Sequence, residues 1–299
     1  MDERQKEMAA AFQGFEDAVC SAVPLASVTC FHIGGPADYF VEPRSFEDLA
    51  RLIARCARRG IPVHILGGGS NILVSDRGVS GAVFRLANMR DISRAGTRVT
   101  CDAGAPLPLL VRQAERWGLS GLEPLAGIPG TVGGAVAMNA GGKHGTISSV
   151  LRSVTTLGRH GSFRVRTADE LGLAYRGSGL RGEVVVRAEL DLAERDEAEI
   201  ARLRRSVFEE KERTQPLAAW SAGCIFKNPD GRSAGRLIEE AGLKGKRAGR
   251  AVVSRKHANF IINEGGASAH DVQVLIDKIR RTVRKTFGVE LELEIELWN

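Results

Sequence analysis

The 299-residue chain carries 42 Lys plus Arg against 36 Asp plus Glu, a formal net charge of +6, with 26% charged and 43% hydrophobic residues. That balance excludes a disordered or solvating polymer and supports a sizeable core split over two or three domains. Glycine is the outlier at 35 residues, well above the usual ~7% and without the three-residue period of collagen. Five cysteines (Cys20, Cys30, Cys56, Cys101, Cys224) are an odd number without C-x-x-C spacing, so neither a disulfide framework nor a zinc ribbon is signalled and free thiols in a reducing cytoplasm are expected. Residues 1–20 mix acids and bases without an uninterrupted apolar stretch, which does not make a secretory leader. No apolar run reaches the ~18 residues of a membrane helix. Lys and Arg are dispersed, with no aromatic-interleaved basic stretch that would mark a nucleic-acid partner.

In chain order, Ser45-Phe46-Glu47-Asp48 resembles a capping box, and Phe46, Leu49, Ile53 and Cys56 follow at helical spacing until Gly60, predicting a helix over 45–59. Apolar runs at 61–66, 71–74 and 82–86 read as short strands joined by tight turns. A helix is expected from Pro106 to Trp117, stopped by Gly118. Between Gly118 and Gly145 nine glycines fall within 28 residues, so the stretch reads as a loop system built for close backbone approach. Strands are expected over 150–157, 162–165 and 183–192, and a charged helix over 199–211, with a domain boundary near 205. The last hundred residues predict a short helix at 234–241, strands at 251–254 and 259–263, and an amphipathic helix at 270–287. In the final run Val289, Leu291, Leu293, Ile295 and Leu297 alternate with Glu290, Glu292, Glu294 and Glu296. That pattern predicts a half-buried strand with all four glutamates on its polar face.

Some motifs carry nothing. Gly177 to Gly182 matches G-x-G-x-x-G but precedes an apolar strand, the reverse of the dinucleotide fingerprint. Gly142-Lys143 fails the phosphate-loop pattern, and six dispersed histidines give no metal-ligand spacing. Two glycine loops remain. Leu66-Gly67-Gly68-Gly69-Ser70-Asn71 offers backbone N–H groups with side-chain donors, which fits an anion site or a hairpin turn. Gly127 to Gly141 strips side chains from many positions, as a flat ligand against bare backbone would require. Arg176 reads by itself as a solvated arginine and Cys224 as a packed thiol, although Lys227 and Asn228 beside it raise the case for a site. Pattern alone does not choose among the four glutamates.

The ordered set Thr29–Asp38, Leu66–Asn71, Gly127–Gly134, Met138–Gly141, Tyr175-Arg176-x-Ser178, Gly223–Pro229, Lys256–Phe260 and the closing Leu-Glu-x-Glu resembles the UDP-N-acetylenolpyruvoylglucosamine reductase family over residues 25–297. The resemblance implies an α+β chain: a two-subdomain FAD-binding unit of the vanillyl-alcohol oxidase (PCMH) type at 1–205, divided near 88/89, and a C-terminal α/β substrate-binding domain at 206–299, with strand 289–297 packing back toward the first unit. It implies FAD as cofactor, NADPH as reductant, the enolpyruvyl sugar nucleotide as small-molecule substrate, a cytoplasmic role in peptidoglycan precursor synthesis, and no nucleic-acid, membrane or obligate protein partner. Gly67, Gly68, Gly69, Ser70 and Asn71 would meet the FAD pyrophosphate. Gly127, Ile128, Gly130, Thr131, Gly133, Gly134, Asn139 and Ala140 would line the rest of the cofactor, and Tyr175, Lys227, Asn228, Lys256 and His257 the substrate.

The resemblance also implies roles. Hydride addition to the vinyl methylene carbon leaves an enolate beside a carboxylate, and Arg176 would place a permanent forked cation there. Glu294, the second Glu of Leu-Glu-x-Glu, helps only while protonated or sharing a proton, which burial beside another anion favours. Cys224 stands where family members commonly carry serine and, being more acidic than an alcohol, is expected to act as general acid at the cost of oxidation sensitivity. Thr214 replaces a usual lysine, so a substrate carboxylate or phosphate either goes without that cation or meets Arg213 instead. His32 replaces a usual basic residue and Lys143-His144 an Ala-Tyr pair, while the short connection from Tyr175 to 205 resembles the class without an inserted loop. The alternatives are an FAD-dependent alcohol or hydroxy-acid oxidase with the same cofactor domain, and a non-catalytic phosphate- or nucleic-acid-binding module.

Overall fold

The computed structural model describes residues 10–180 and 182–299. The start of the segment read above as no secretory leader, and Arg181 of the discarded glycine motif, lie outside them. In chain order the main elements are β1 (Val19–Pro24), β2 (Pro36–Val41), α1 (Phe46–Arg58), β3 (Val63–Leu66), β4 (Ile72–Val74), β5 (Val79–Arg85), β6 (Ile92–Ala95), β7 (Arg98–Asp102), α2 (Leu107–Arg116) and α3 (Val132–Ala137). They continue as β8 (Leu151–Leu157), β9 (Phe163–Thr167), β10 (Val184–Asp191), α4 (Glu197–Thr214), α5 (Ala234–Glu240), β11 (Ala251–Val253), β12 (Ile261–Asn263), α6 (Ala269–Phe287) and β13 (Glu296–Trp298). Residue 205 lies inside α4.

The chain packs as two compact units. The first takes residues up to Ser21, Tyr39–Gly68 and Gly81–Glu210, and the second takes Ala22–Asp38, Gly69–Ser80 and Lys211–Asn299. In the first, Ser45 Oγ accepts from the N–H of Asp48 at 3.1 Å and starts α1, whose Leu49, Leu52, Ile53 and Cys56 are buried. Strand β3 runs parallel to β5 in a four-stranded sheet of order β1-β2-β5-β3. A five-stranded antiparallel sheet follows in the order β9-β8-β10-β7-β6. One core, including Leu52, Phe84, Val99, Leu107, Leu110, Val132 and Val186, is shared by these elements. The glycine-rich stretch differs from expectation in one respect: it contains α3, a helical turn and a half nucleated by Thr131, whose Oγ1 accepts from the N–H of Gly134 at 3.4 Å. Small residues let Gly133 lie where an added Cβ would come 2.8 Å from Ala103 Cβ.

The second unit has its own core of Phe31, Ile225, Phe226, Leu237, Ile238, Val272, Leu275, Ile276 and Ile279. A small antiparallel sheet places Arg247–Ala248 beside β11 and β11 beside β12. Asn259 is 3% exposed and holds the backbone of Phe226 from both sides, its Oδ1 accepting from Phe226 N–H at 3.0 Å and its Nδ2 donating to Phe226 O at 2.7 Å. The predicted strand over 289–297 does not form as one piece. A bridge joins Leu293 to Phe226, the chain bends at Glu294 and Ile295, and only β13 makes a ladder, parallel to β4 through Glu296↔Ile72, Leu297↔Leu73 and Trp298↔Val74. Trp298 is buried and Leu297 is not, so the alternation shifts by one residue across the bend.

Helix α6 starts in a reciprocal capping box between Ser268 and Asp271, and the Asp76 carboxylate also accepts from Ala269 N–H at 2.7 Å and His270 N–H at 3.1 Å. A carboxylate at that end opposes the positive pole of the helix. Asp76→Ala should therefore destabilise the protein by about 1 kcal/mol, seen as a lower urea midpoint. An unchanged midpoint would show that the box alone starts the helix.

Candidate functional site

The first unit holds most of the glycine residues named above. An added Cβ on Gly68 would lie 2.5 Å from Gly130 Cα and one on Gly67 2.9 Å from Thr131 Oγ1, so the two loops meet backbone to backbone. Gly127 (φ +75°) and Gly130 (φ +110°) supply the left-handed geometry of that approach. Part of the glycine excess is thus explained by packing between loops, before any ligand is considered. Ile128 packs partly buried on the core, and Ala140 donates its N–H to Ala135 O at 2.7 Å. Asn139, buried and at φ +43°, donates from Nδ2 to Ala174 O at 3.1 Å and accepts from Ser148 N–H at 3.3 Å. Ser178 Oγ donates to Ala137 O at 2.8 Å.

These two bonds fix both sides of a tight turn closed by Ala174 and Gly177, which exchange backbone hydrogen bonds at 3.0 and 3.3 Å. Tyr175 and Arg176 form its tip. Arg176 sits at φ +56°, a conformation usually left to glycine, and its guanidinium carbon lies 5.3 Å from the centre of the exposed Tyr175 ring. Strain of this kind persists only where the surroundings impose it. Lys143 and His144 both meet Glu210, His144 Nε2 at 2.9 Å, and the hydrogen bonds from these two side chains hold that carboxyl below its usual range.

In the second unit an antiparallel seam brings together the residues expected to act there. Glu294 N–H donates to Ile225 O at 2.8 Å and Lys227 N–H to Glu292 O at 2.9 Å, so Cys224 and Glu294 lie on adjoining stretches of chain. Asn71 Nδ2 donates to Glu294 O at 3.1 Å. The bend corrects one expectation: the four glutamates do not share a face. Glu290, Glu292 and Glu296 are exposed, whereas Glu294 is half-buried. Gly69 (φ +63°) leaves no room for a side chain, since a Cβ would lie 2.4 Å from Val28 O, and its own carbonyl accepts from Cys30 N–H at 2.9 Å.

Other residues named for substrate contacts also hold structure. Lys227 Nζ lies 3.5 Å from Glu292, Asn228 Oδ1 accepts from Ala234 N–H at 3.0 Å, and Lys256 Nζ donates to Glu212 O near the end of α4. Thr214 Oγ1 returns to Lys211 O at 3.5 Å and Arg213 is exposed. His32 (φ +53°) stacks on Trp220 with ring centres 4.3 Å apart. Sequence pattern does not single out Trp220, Asn259 or Asn263, whose Nδ2 donates to Phe31 O at 2.9 Å. Polar amides inside apolar runs are the available signal for the last two.

The thiols differ sharply. Burial pushes Cys56 up to about 11 and Cys101 up to about 12, and raises Cys30 as well. Cys20 is exposed and Cys224 half-buried. Burial, then the nearby Lys244, pushes His257 below the ordinary histidine value. The geometry agrees, because His257 Nδ1 accepts from Asn259 N–H at 3.3 Å and only an unprotonated nitrogen accepts.

Comparison with known proteins gives these features a context. A pattern described as an FAD binding domain matches residues 37–165, and one described as UDP-N-acetylenolpyruvoylglucosamine reductase, C-terminal domain, matches 215–298. A wild-type glucose dehydrogenase, Phl p 4.0202, superposes with TM-score 0.53 at 18% identity, over 64% of this chain and 44% of that one, and so shares the fold alone. Fold and patterns together define an FAD-dependent oxidoreductase with a cofactor unit of the vanillyl-alcohol oxidase type and a separate C-terminal domain.

The chain is 45% identical over 280 residues to UDP-N-acetylenolpyruvoylglucosamine reductase 2 of Symbiobacterium thermophilum, covering 93% of this chain and 91% of that one. It is 44% identical over 277 residues to the reductase of Carboxydothermus hydrogenoformans, covering 92% of each. The crystal structure of the Thermus caldophilus reductase superposes with TM-score 0.82 at 44% identity, over 93% of this chain and 98% of that one. The chain belongs to the UDP-N-acetylenolpyruvoylglucosamine reductase family. No helix among the described residues is long and apolar enough to cross a membrane.

Two outcomes are expected. A disulfide-exchange reagent at neutral pH should modify Cys20 and Cys224 well before Cys56 and Cys101, because the thiolate is the reactive form. Labelling of Cys101 at the same rate would contradict its burial. For His257, the unfolded chain takes up a proton below about pH 6.5 while the folded protein does not. Stability should therefore fall as pH drops from 6.5 toward the depressed value. The part of the slope due to this residue should vanish in His257→Gln, as measured by urea midpoints across pH.

Proposed function

We propose that this chain reduces the enolpyruvyl ether of UDP-N-acetylglucosamine to UDP-N-acetylmuramate, with NADPH as electron source, in the cytoplasm, as a step in making peptidoglycan precursors. The observation that carries the reading is the seam joining Ile225 to Glu294 inside the segment that matches the reductase C-terminal domain, because it brings the stretches bearing Cys224 and Glu294 together.

FAD fits the residues present. Neither 66–71 nor 127–142 contains an acidic side chain, and both present bare backbone, so a dianionic pyrophosphate meets N–H donors without repulsion. Gly67, Gly68, Gly69, Ser70 and Asn71, with Gly127, Ile128, Gly130, Thr131, Gly133, Gly134, Asn139 and Ala140, would hold it. The chemistry that bound FAD would supply is hydride, derived from NADPH, for addition to the vinyl methylene carbon.

The remaining work falls to side chains. Arg176, always protonated, sets a planar fork of donors where negative charge develops beside the substrate carboxylate. Its left-handed backbone lies in a turn that Asn139 and Ser178 tie down on either side, which limits the directions that fork can take. Cys224 Sγ–H gives a proton to the carbon that bears the ether oxygen, and the resulting thiolate is re-protonated from solvent. Glu294, half-buried on its bend, shares a proton with the substrate carboxylate. Tyr175, Lys227, Asn228, Lys256 and His257 contribute contacts to the sugar nucleotide, although Asn228 and Lys256 also brace the fold.

The test separates the two half-reactions. Cys224→Ala should be reduced by NADPH at the wild-type rate but slow the oxidation of its flavin by the enolpyruvyl substrate by about 100-fold. Arg176→Ala should show the same split, on the order of 100-fold. Full-rate turnover by Cys224→Ala would remove the thiol from the mechanism. Equal losses in both halves would indicate a damaged fold.

A further inference from the structure

We infer that Asn71, at the end of the Gly67–Asn71 loop, is a positioning residue that fixes the peptide of Glu294, an inference that rests on the reductase reading of Glu294. The bend at Glu294 and Ile295 interrupts the pairing on both sides: the bridge to Phe226 ends at Leu293, and the ladder to β4 resumes at Glu296. A bent residue loses its ladder partners, and a buried carbonyl left without one is expensive. Asn71 replaces the missing partner. Its Nδ2 donates to Glu294 O at 3.1 Å, and its own backbone carbonyl accepts from Glu296 N–H at 2.9 Å.

Glu294 is then held at both ends of its backbone, with its N–H on Ile225 O at 2.8 Å and its carbonyl on Asn71 Nδ2. With both peptide groups fixed, the direction of the Cα–Cβ bond is fixed too, and the carboxyl group is aimed by main-chain geometry. A shift of about 1 Å at a catalytic group costs on the order of 100-fold in rate, so the bend needs such a brace. Asn71 suits the place chemically, since a primary amide donates to the carbonyl and its residue immediately precedes β4, opposite the bend. Serine or threonine at this position would be too short, and aspartate would set an acceptor against an acceptor. Segment 69–71 thereby serves the acid residue as well as the cofactor.

The experiment uses holoenzyme of Asn71→Ala, Asn71→Asp, Glu294→Gln and the double variant Asn71→Ala/Glu294→Gln, with FAD stoichiometry, FAD affinity after reconstitution and both half-reactions measured. Expected for both Asn71 variants, reconstituted at saturating FAD, is substrate-driven oxidation slowed roughly tenfold, a fraction of the 100-fold loss that full misplacement would bring, and a clearly larger loss than any in NADPH-driven reduction. The double variant should be no slower than Glu294→Gln alone, because a brace has no effect once its acid is gone. Multiplying losses in the double variant, or NADPH-driven reduction slowed as much as substrate-driven oxidation, would overturn the inference and leave Asn71 as a cofactor ligand alone. Should Asn71→Ala fail to fold, the nearly isosteric Asn71→Asp decides the same question. Wild-type oxidation by Glu294→Gln would instead sink the role of Glu294 on which the inference rests, whereas wild-type oxidation by the Asn71 variants alone would sink only the brace.

Discussion

The second unit depends on one run of chain, residues 291–298, being stitched on two sides at once. On one side Lys227 N–H and Glu294 N–H tie it to the segment bearing Cys224 and Ile225, and on the other Glu296 N–H bonds to the Asn71 carbonyl and Ser75 N–H to the Trp298 carbonyl, in register with β4. Apolar Leu291, Ile295 and Trp298 bury themselves between these bonds. Without this run β4 has no ladder and the glutamate has no fixed direction, because no other strand pairs with β4 among the described residues.

Hydrophobic period and turn chemistry made most elements readable. The Ser45 cap, the stop at Gly60 and the stripe from Val272 to Val283 appear in the structure within a residue or two of their expected places. Strict alternation from Val289 to Leu297 was legible as burial but misleading as ladder. Side-chain period reports which residues face a core, and it does not report where a chain bends to change partners. The bend carries the information that separates Glu294 from its three neighbours, and the sequence pattern makes all four equivalent.

The site was legible in its residue types and less so in its supports. Arg176, Cys224 and Glu294 are singled out only by the family resemblance, and nothing in one sequence says that Arg176 occupies φ +56° or that Asn139 and Ser178 tie down the turn that bears it. Glycine frequency likewise merges two demands: Gly68 is required by Gly130 pressing against it, while Gly223 has open space around it despite φ +75°. Long-range partners such as Asp76 on the start of α6 lie 193 and 194 positions from the groups they bind, beyond the reach of any local pattern.

That separation has a consequence for how the molecule is made. Asn71 and the carbonyl it braces are 223 positions apart in the chain, so during translation segment 69–80 leaves the ribosome long before its strand partner exists. Contacts this distant in sequence form late, since loop closure must precede any gain from them. Unit one can begin to collapse around α1 and the five-stranded sheet, yet the part of the glycine loop that carries Ser70 and Asn71 waits for residues 291–298 to emerge. The flavin binding proposed for that loop would then follow synthesis of residues 291–298, and until they emerge β4 is an unpaired edge.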